Sequence, residues 1–245
     1  AHGIITPADV DALGRNLTLF NAAMTAGRFD DATDIEHGME HYIEAAGGGL
    51  NAYDIRRYAG YTYDALGKLL SSPSLKARLN VGNHSWQLSS DAVNSHLHAD
   101  ISRATDDLVG ALLSSPAPNN YHVVIYNGNY DLDCNIAGTL KWLKDVRWPG
   151  AQAFANATVT AGSRRTWRLP PVKPGRNKAG DRNDNASAAA AAAVAGYCVE
   201  VDNLSQVVVL NAGHMVPLNQ PRAAFMLLTN ALKALNKPEG RVCTD

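Results

Sequence analysis

Apolar positions return at helical spacing through the first half of the chain. Val10, Leu13, Leu17 and Phe20 recur near a period of 3.6 after Pro7, and residues 53–63 and 65–70 repeat the pattern over shorter lengths. Residues 100–115 predict a helix packed on Ile101, Leu108, Leu112 and Leu113, which Pro116-Ala117-Pro118-Asn119-Asn120 would end. Beyond that point the grammar becomes strand, turn, helix. A strand over 121–127 leads through a loop into a helix around 136–146. Short strands follow at 167–169 and 197–202, flanking a polar, low-complexity stretch at 170–193 that closes with the alanine run 188–193. That stretch holds too little apolar surface to offset the entropy of ordering it, so it reads as a surface loop. Asn203-Leu204-Ser205 suits a hairpin turn into a strand at 206–210, and residues 221–235 predict a closing helix with Phe225, Leu228 and Leu232 on one stripe. The fold class expected is α/β, with a helical region at 1–115 and an α/β core at 116–245.

Two of these runs end in the same way. Val123-Val124-Ile125-Tyr126-Asn127 stops at Gly128 and then presents Asp131. Val207-Val208-Val209-Leu210-Asn211 stops at Ala212-Gly213 and then presents His214. In open α/β sheets the reactive groups sit beyond the carboxyl ends of the strands, held by the sheet yet accessible. An acid followed by a histidine is the order in which an α/β-hydrolase triad ends, after its serine. The serine is therefore expected upstream.

The stretch Tyr126-Asn127-Gly128-Asn129-Tyr130-Asp131-Leu132-Asp133-Cys134-Asn135 resembles the acid motif of the serine carboxypeptidases. Gly213-His214-Met215-Val216-Pro217, followed by Gln220-Pro221, resembles their histidine motif. Asn51-Ala52-Tyr53-Asp54-Ile55-Arg56 and the segment from Ser72-Pro73 to Val81-Gly82-Asn83 are similar to the middle of that family, nearest its vitellogenic-like branch. The resemblance runs over about residues 1–235 and implies the C-terminal half of an α/β-hydrolase fold, in which the helical region caps the site. It implies catalytic roles for Asp131 and His214, and a pocket for the leaving residue lined by Cys134 and Met215, where soft side chains accept variable shapes. Core packing is the alternative for that pair. Asn135 is expected to cap the helix that follows.

The family's nucleophile motif is missing, and no Gly-x-Ser-x-Gly occurs in the 245 residues. The resemblance thus implies a serine-type carboxypeptidase that releases C-terminal amino acids from peptides, with the serine on a separate or absent N-terminal part and no activity from this chain alone. The alternative is a catalytically inactive carboxypeptidase-like subunit serving binding or assembly.

Composition narrows the remaining choices. With 46% hydrophobic residues the chain can bury a sizeable core, and its net charge of −1 offers no footprint for nucleic acid. No run reaches the roughly 20 apolar residues of a membrane span. Sequons at Asn16, Asn83, Asn156, Asn185 and Asn203 suggest N-glycosylation and passage through the secretory pathway, to a lysosomal, vacuolar or extracellular destination. Three cysteines, Cys134, Cys198 and Cys243, leave at least one free or paired to another chain; three ordinary thiols are one reading, and a bond from Cys198 or Cys243 to a cysteine of an N-terminal partner is another. His37-Gly38-Met39-Glu40-His41 fits the H-x-x-E-H zinc signature, but Gly38 weakens the helix it needs, and His96 and His98 have no obvious third ligand. No metal and no cofactor are expected.

Overall fold

A computed structural model describes residues 3–116, 121–171, 193–234 and 242–243. Contacts gather the chain into two units, one of residues 1–51 and 56–104, the other of residues 52–55 and 105–245. The polar stretch expected as a loop at 170–193 lies almost wholly outside the described residues, and so does the Asn185 sequon.

The first unit is helical. α1 (Pro7–Thr25) opens on a reciprocal cap: the Thr6 hydroxyl accepts the Asp9 N–H, and the Asp9 carboxylate accepts the Thr6 N–H at 2.8 Å. Gly27, at φ +69, turns the chain back into α2 (Phe29–Ala46). α3 (Asp64–Leu70) and α4 (Pro73–Leu79) are single short stretches, the second ended by Asn80 in the left-handed region. α5 (Asp91–Ile101) packs on α2, where the buried Thr33 hydroxyl donates to the His98 carbonyl at 3.0 Å and meets the Ser102 hydroxyl at 2.8 Å.

Two expected helices differ. Residues 53–63 form turns because their backbone groups are committed elsewhere. The Asn51 N–H bonds the Arg57 carbonyl, the Ile55 N–H bonds the Tyr130 carbonyl, and the Ala52 carbonyl accepts the Leu132 N–H at 2.9 Å. The helix expected over 100–115 is two helices. α5 stops at Ile101, where Thr33 holds Ser102, and α6 (Asp106–Leu113) starts afresh with Asp106 and Asp107 in its first turn, favourable beside the free N–H groups there. Leu113 is buried, but Ile101, Leu108 and Leu112 are exposed.

The second unit is built on four strands: β1 (Val123–Gly128), β2 (Arg165–Arg168), β3 (Val194–Val201) and β4 (Leu204–Val209). Their order is β1-β4-β3-β2. β1 runs parallel to β4, and the other pairs are antiparallel. The β3–β4 turn falls at Asp202-Asn203, one residue earlier than expected, because Asp202 tolerates the left-handed φ of +48 while Leu204 and Ser205 are buried in β4. The Val123 N–H bonds the Asn203 carbonyl and the Asn129 N–H bonds that of Val209, so alternate amides of β1, those of Val124, Tyr126 and Gly128, face its other side. No described strand pairs there.

Helices cover both faces of the sheet. α7 (Ile136–Asp145) and α8 (Ala151–Val159) join α6 in a core of Leu113, Leu143, Trp148, Phe154, Val199 and Leu204. α9 (Val216–Asn219) and α10 (Pro221–Ala234) close the other core, with Trp167, Val207, Val209 and Leu227. The stripe expected on α10 is reversed. Phe225, Leu228 and Leu232 are 73%, 59% and 55% exposed, while Ala223, Leu227, Asn230 and Ala234 face the sheet. Alanines let the helix approach closely, and the Asn230 amide donates to the Val242 carbonyl at 2.9 Å.

Cys198 and Cys243 form a disulfide within the chain, which removes both all-thiol and cross-chain pairing for those two; Cys134 stays outside it. The same segment is held by Glu200, whose carboxylate pairs with Arg165, accepts the Val242 N–H at 2.7 Å and accepts the Ser205 hydroxyl at 2.9 Å. His122 Nε2 lies 2.8 Å from that hydroxyl.

Candidate active site

Because β1 and β4 are parallel neighbours, paired Gly128 to Val209 at their ends, the loops that leave them open on the same side. Asp131 follows the first strand and His214 the second, and His214 Nδ1 lies 3.1 Å from Asp131 Oδ2. A carboxylate can only accept, so Nδ1 carries the proton and the lone pair of the neutral ring is on Nε2. The Asp131 side chain is 3% exposed and that of His214 34%, which gives a sheltered acceptor beneath a ring open to solvent.

Close backbone approach makes this possible. A Cβ on Gly128 would stand 2.2 Å from the Gly213 carbonyl oxygen, and one on Gly213 would stand 2.3 Å from the Tyr53 carbonyl oxygen. Glycine is required at both. The Tyr53 carbonyl accepts the His214 N–H at 2.7 Å, and its ring lies 4.8 Å from the imidazole, tilted by 32°. On the acid side, Asp131 Oδ1 accepts the Cys134 N–H at 3.0 Å, and the Asn127 amide donates to the Cys134 carbonyl at 2.8 Å and to Thr139 at 3.1 Å. Asn135 caps α7 as expected, accepting the Gly138 N–H at 2.9 Å.

Burial raises the Asp131 carboxyl above its ordinary 3.8, against the pull of the His214 charge and the Cys134 N–H. Asp133, 3.7 Å from His214 Nδ1, adds a like charge that pushes the same way as burial.

Cys134 is exposed in the turn before α7, and Met215, half-buried, follows His214 directly. Tyr53 and Asp133 were not singled out from the sequence. Gly213 beside His214 was the signal for Tyr53, since a glycine there calls for a backbone neighbour. His37, Glu40 and His41 are not gathered as ligands among the described residues; His41 faces Glu44, and the His37 ring lies against that of His98. His98 sits between Asp30 and Asp34. Of the sequons, Asn83 and Asn156 are exposed and Asn16 half-buried in α1, while the Asn203 amide donates to the Leu113 and Tyr121 carbonyls.

The sequence model of the serine carboxypeptidases matches residues 36–234. The chain belongs to that family. A Dictyostelium discoideum protein carrying the name "Probable serine carboxypeptidase CPVL" is 29% identical over 209 residues, 85% of this chain and 36% of the relative. Serine carboxypeptidase S10 family member 1 of the same organism is 26% identical over 95% of this chain and 50% of the relative. The venom serine carboxypeptidase of Apis mellifera is 30% identical over 68% of this chain and 29% of the relative. The fold is similar to that of Kex1(delta)p, a prohormone-processing carboxypeptidase from Saccharomyces cerevisiae, with a TM-score of 0.61 and 19% identity over 94% of this chain and 49% of the other. The chain thus spans half or less of the length of these relatives, which fits the C-terminal half of the fold.

Proposed function

We propose that this serine carboxypeptidase chain supplies the histidine and the acid of a catalytic triad whose serine lies on an N-terminal part, and that the assembled enzyme releases C-terminal amino acids from peptides. The observation that carries the reading is the 3.1 Å contact between His214 Nδ1 and Asp131 Oδ2 at the ends of adjacent parallel strands.

In this reading His214 Nε2 takes the proton of the serine hydroxyl as it attacks the scissile carbonyl, then returns it to the leaving amine. Asp131 holds the ring in the required tautomer and stabilises the imidazolium. Tyr53 steadies the ring by packing beside it and fixes the loop through its carbonyl. Cys134 and Met215 flank the leaving residue. The oxyanion donors and the group that grips the substrate's free carboxylate come from the N-terminal part. Exposed sequons at Asn83 and Asn156 support a secretory-pathway protein, lysosomal, vacuolar or extracellular, glycosylated at those two positions and not at Asn203, whose amide is internally engaged.

The test is co-expression with the N-terminal part, followed by fluorophosphonate labelling and hydrolysis of a blocked dipeptide. His214→Ala is expected to lower turnover by about 10³-fold or more and to abolish labelling. Unchanged turnover in that variant overturns the assignment. An assembled wild-type complex that neither labels nor hydrolyses establishes the inactive binding subunit instead.

A further inference from the structure

We propose that Asp131, Cys134 and His214 form a binding site for a soft divalent cation, zinc above all, that occludes the ring of His214 reversibly. A carboxylate oxygen of Asp131, Sγ of Cys134 and a ring nitrogen of His214 all lie within 4.8 Å of one another. Tetrahedral zinc bonds of about 2.0–2.3 Å place neighbouring donors roughly 3.5 Å apart, so the three close on an ion by small side-chain rotations.

The framework around them is rigid where it needs to be. Asp131 is buried just after β1, and its second oxygen accepts the Cys134 N–H at 3.0 Å, which holds the backbone that carries the thiol. His214 lies on the loop after β4, where its N–H is held by the Tyr53 carbonyl. Access is open, since Cys134 is exposed and His214 partly so. Asp133 adds charge: its Oδ2 is 3.9 Å from the Cys134 sulfur and 3.7 Å from His214 Nδ1. Two carboxylates beside a thiol and an imidazole attract a dication.

The donor set chooses the metal. Calcium and magnesium take oxygen ligands, whereas sulfur with imidazole nitrogen selects zinc and its neighbours in the transition series. Three protein ligands and one water complete a four-coordinate, open site. On binding, the Cys134 thiol releases its proton to solvent, and the imidazole stays neutral with its proton on the nitrogen that does not ligate. The other described cluster of this kind, Cys198, Glu200 and Cys243, has both sulfurs in a disulfide and offers no thiolate.

Binding itself is independent of any catalytic role. Its consequence, that the ion and a proton-transferring His214 exclude each other, rests on the function proposed above, so the test reads binding alone. The purified chain, without a histidine tag, is titrated with cobalt(II) and followed by absorbance, then back-titrated with zinc against a chelating dye. The expected result is one equivalent bound with a thiolate-to-cobalt charge-transfer band that zinc abolishes. Cys134→Ser should lose the band and bind at least tenfold more weakly, and Asp133→Asn should keep the band with weaker binding. No band in the wild-type chain, or an unchanged band and affinity in Cys134→Ser, overturns the proposal. Far-UV circular dichroism of each variant establishes that the exposed substitution leaves the fold intact.

Discussion

The two units spend their apolar residues differently. In the sheet unit, Trp167, Phe154, Leu143, Leu204, Val207 and Val209 are sealed on the two faces of four strands. In the helical unit the fully buried apolar side chains are Ala23, Ala32, Leu50 and little else among the described residues, while Val10, Leu17, Leu19, Val93, Leu97 and Ile101 stand exposed. Its ties are polar instead: Thr33 to His98 and Ser102, and His98 between two aspartates. Where the helical repeat pattern does yield a helix, as in α1 and α5, it does not follow that the apolar stripe finds a core. Burial, at about 25 cal/mol for each Å² of apolar surface, favours the sheet unit as the more stable of the two.

The sharpest way to break this contrast is a pair of truncations. Phe154→Ala is expected to cost about 3–5 kcal/mol, whereas Leu97→Ser should change stability by no more than about 0.5 kcal/mol, each measured by urea denaturation with far-UV circular dichroism. Comparable losses would show that the helical unit holds a core of its own. Removing the disulfide comes next. Cys198 and Cys243 are 45 residues apart, and opening such a loop is worth about 2–4 kcal/mol. Cys198→Ser with Cys243→Ser should weaken hydrogen-exchange protection across β3 and β4 and leave α1 and α2 unchanged. Protection lost equally in both units would mean that they unfold as one.

The smallest effect is one of pH. Burial holds His122 below its ordinary 6.5, so the unfolded chain takes a proton there before the folded one does. Its contribution is full above 6.5 and is lost as pH falls through the folded value. The Ser205 hydroxyl meets this ring and donates in turn to Glu200, which is paired with Arg165. His122→Gln should therefore lose less stability than the wild type between about pH 7 and about pH 5. A steeper loss in the variant would reverse the sign.

Much of this was legible in the sequence where one local rule sufficed. β-branched runs marked β1 and β4, Asn135 marked a helix start, and the glycines after each run marked the turns that carry Asp131 and His214. What was not legible depended on partners distant along the chain. Residues 53–63 look helical until the loop after β1 claims the backbone of Ala52 and Ile55. Phe225, Leu228 and Leu232 are the more apolar side of α10, yet the sheet takes the side with Ala223 and Ala234, because closeness decides packing there more than hydrophobicity. The same limit hid Tyr53, whose place beside His214 is set across 161 positions of chain.

The amides of Val124, Tyr126 and Gly128, which look away from β4, have one more consequence, for anyone who prepares this polypeptide. A row of such donors is a template on which any extended segment can lay itself, a second copy included. Two molecules meeting edge to edge would join in proportion to the square of their concentration, while capture by the N-terminal part proposed above would depend on how much of that part is present. Dilution should accordingly disfavour pairing of the chain with its own copies.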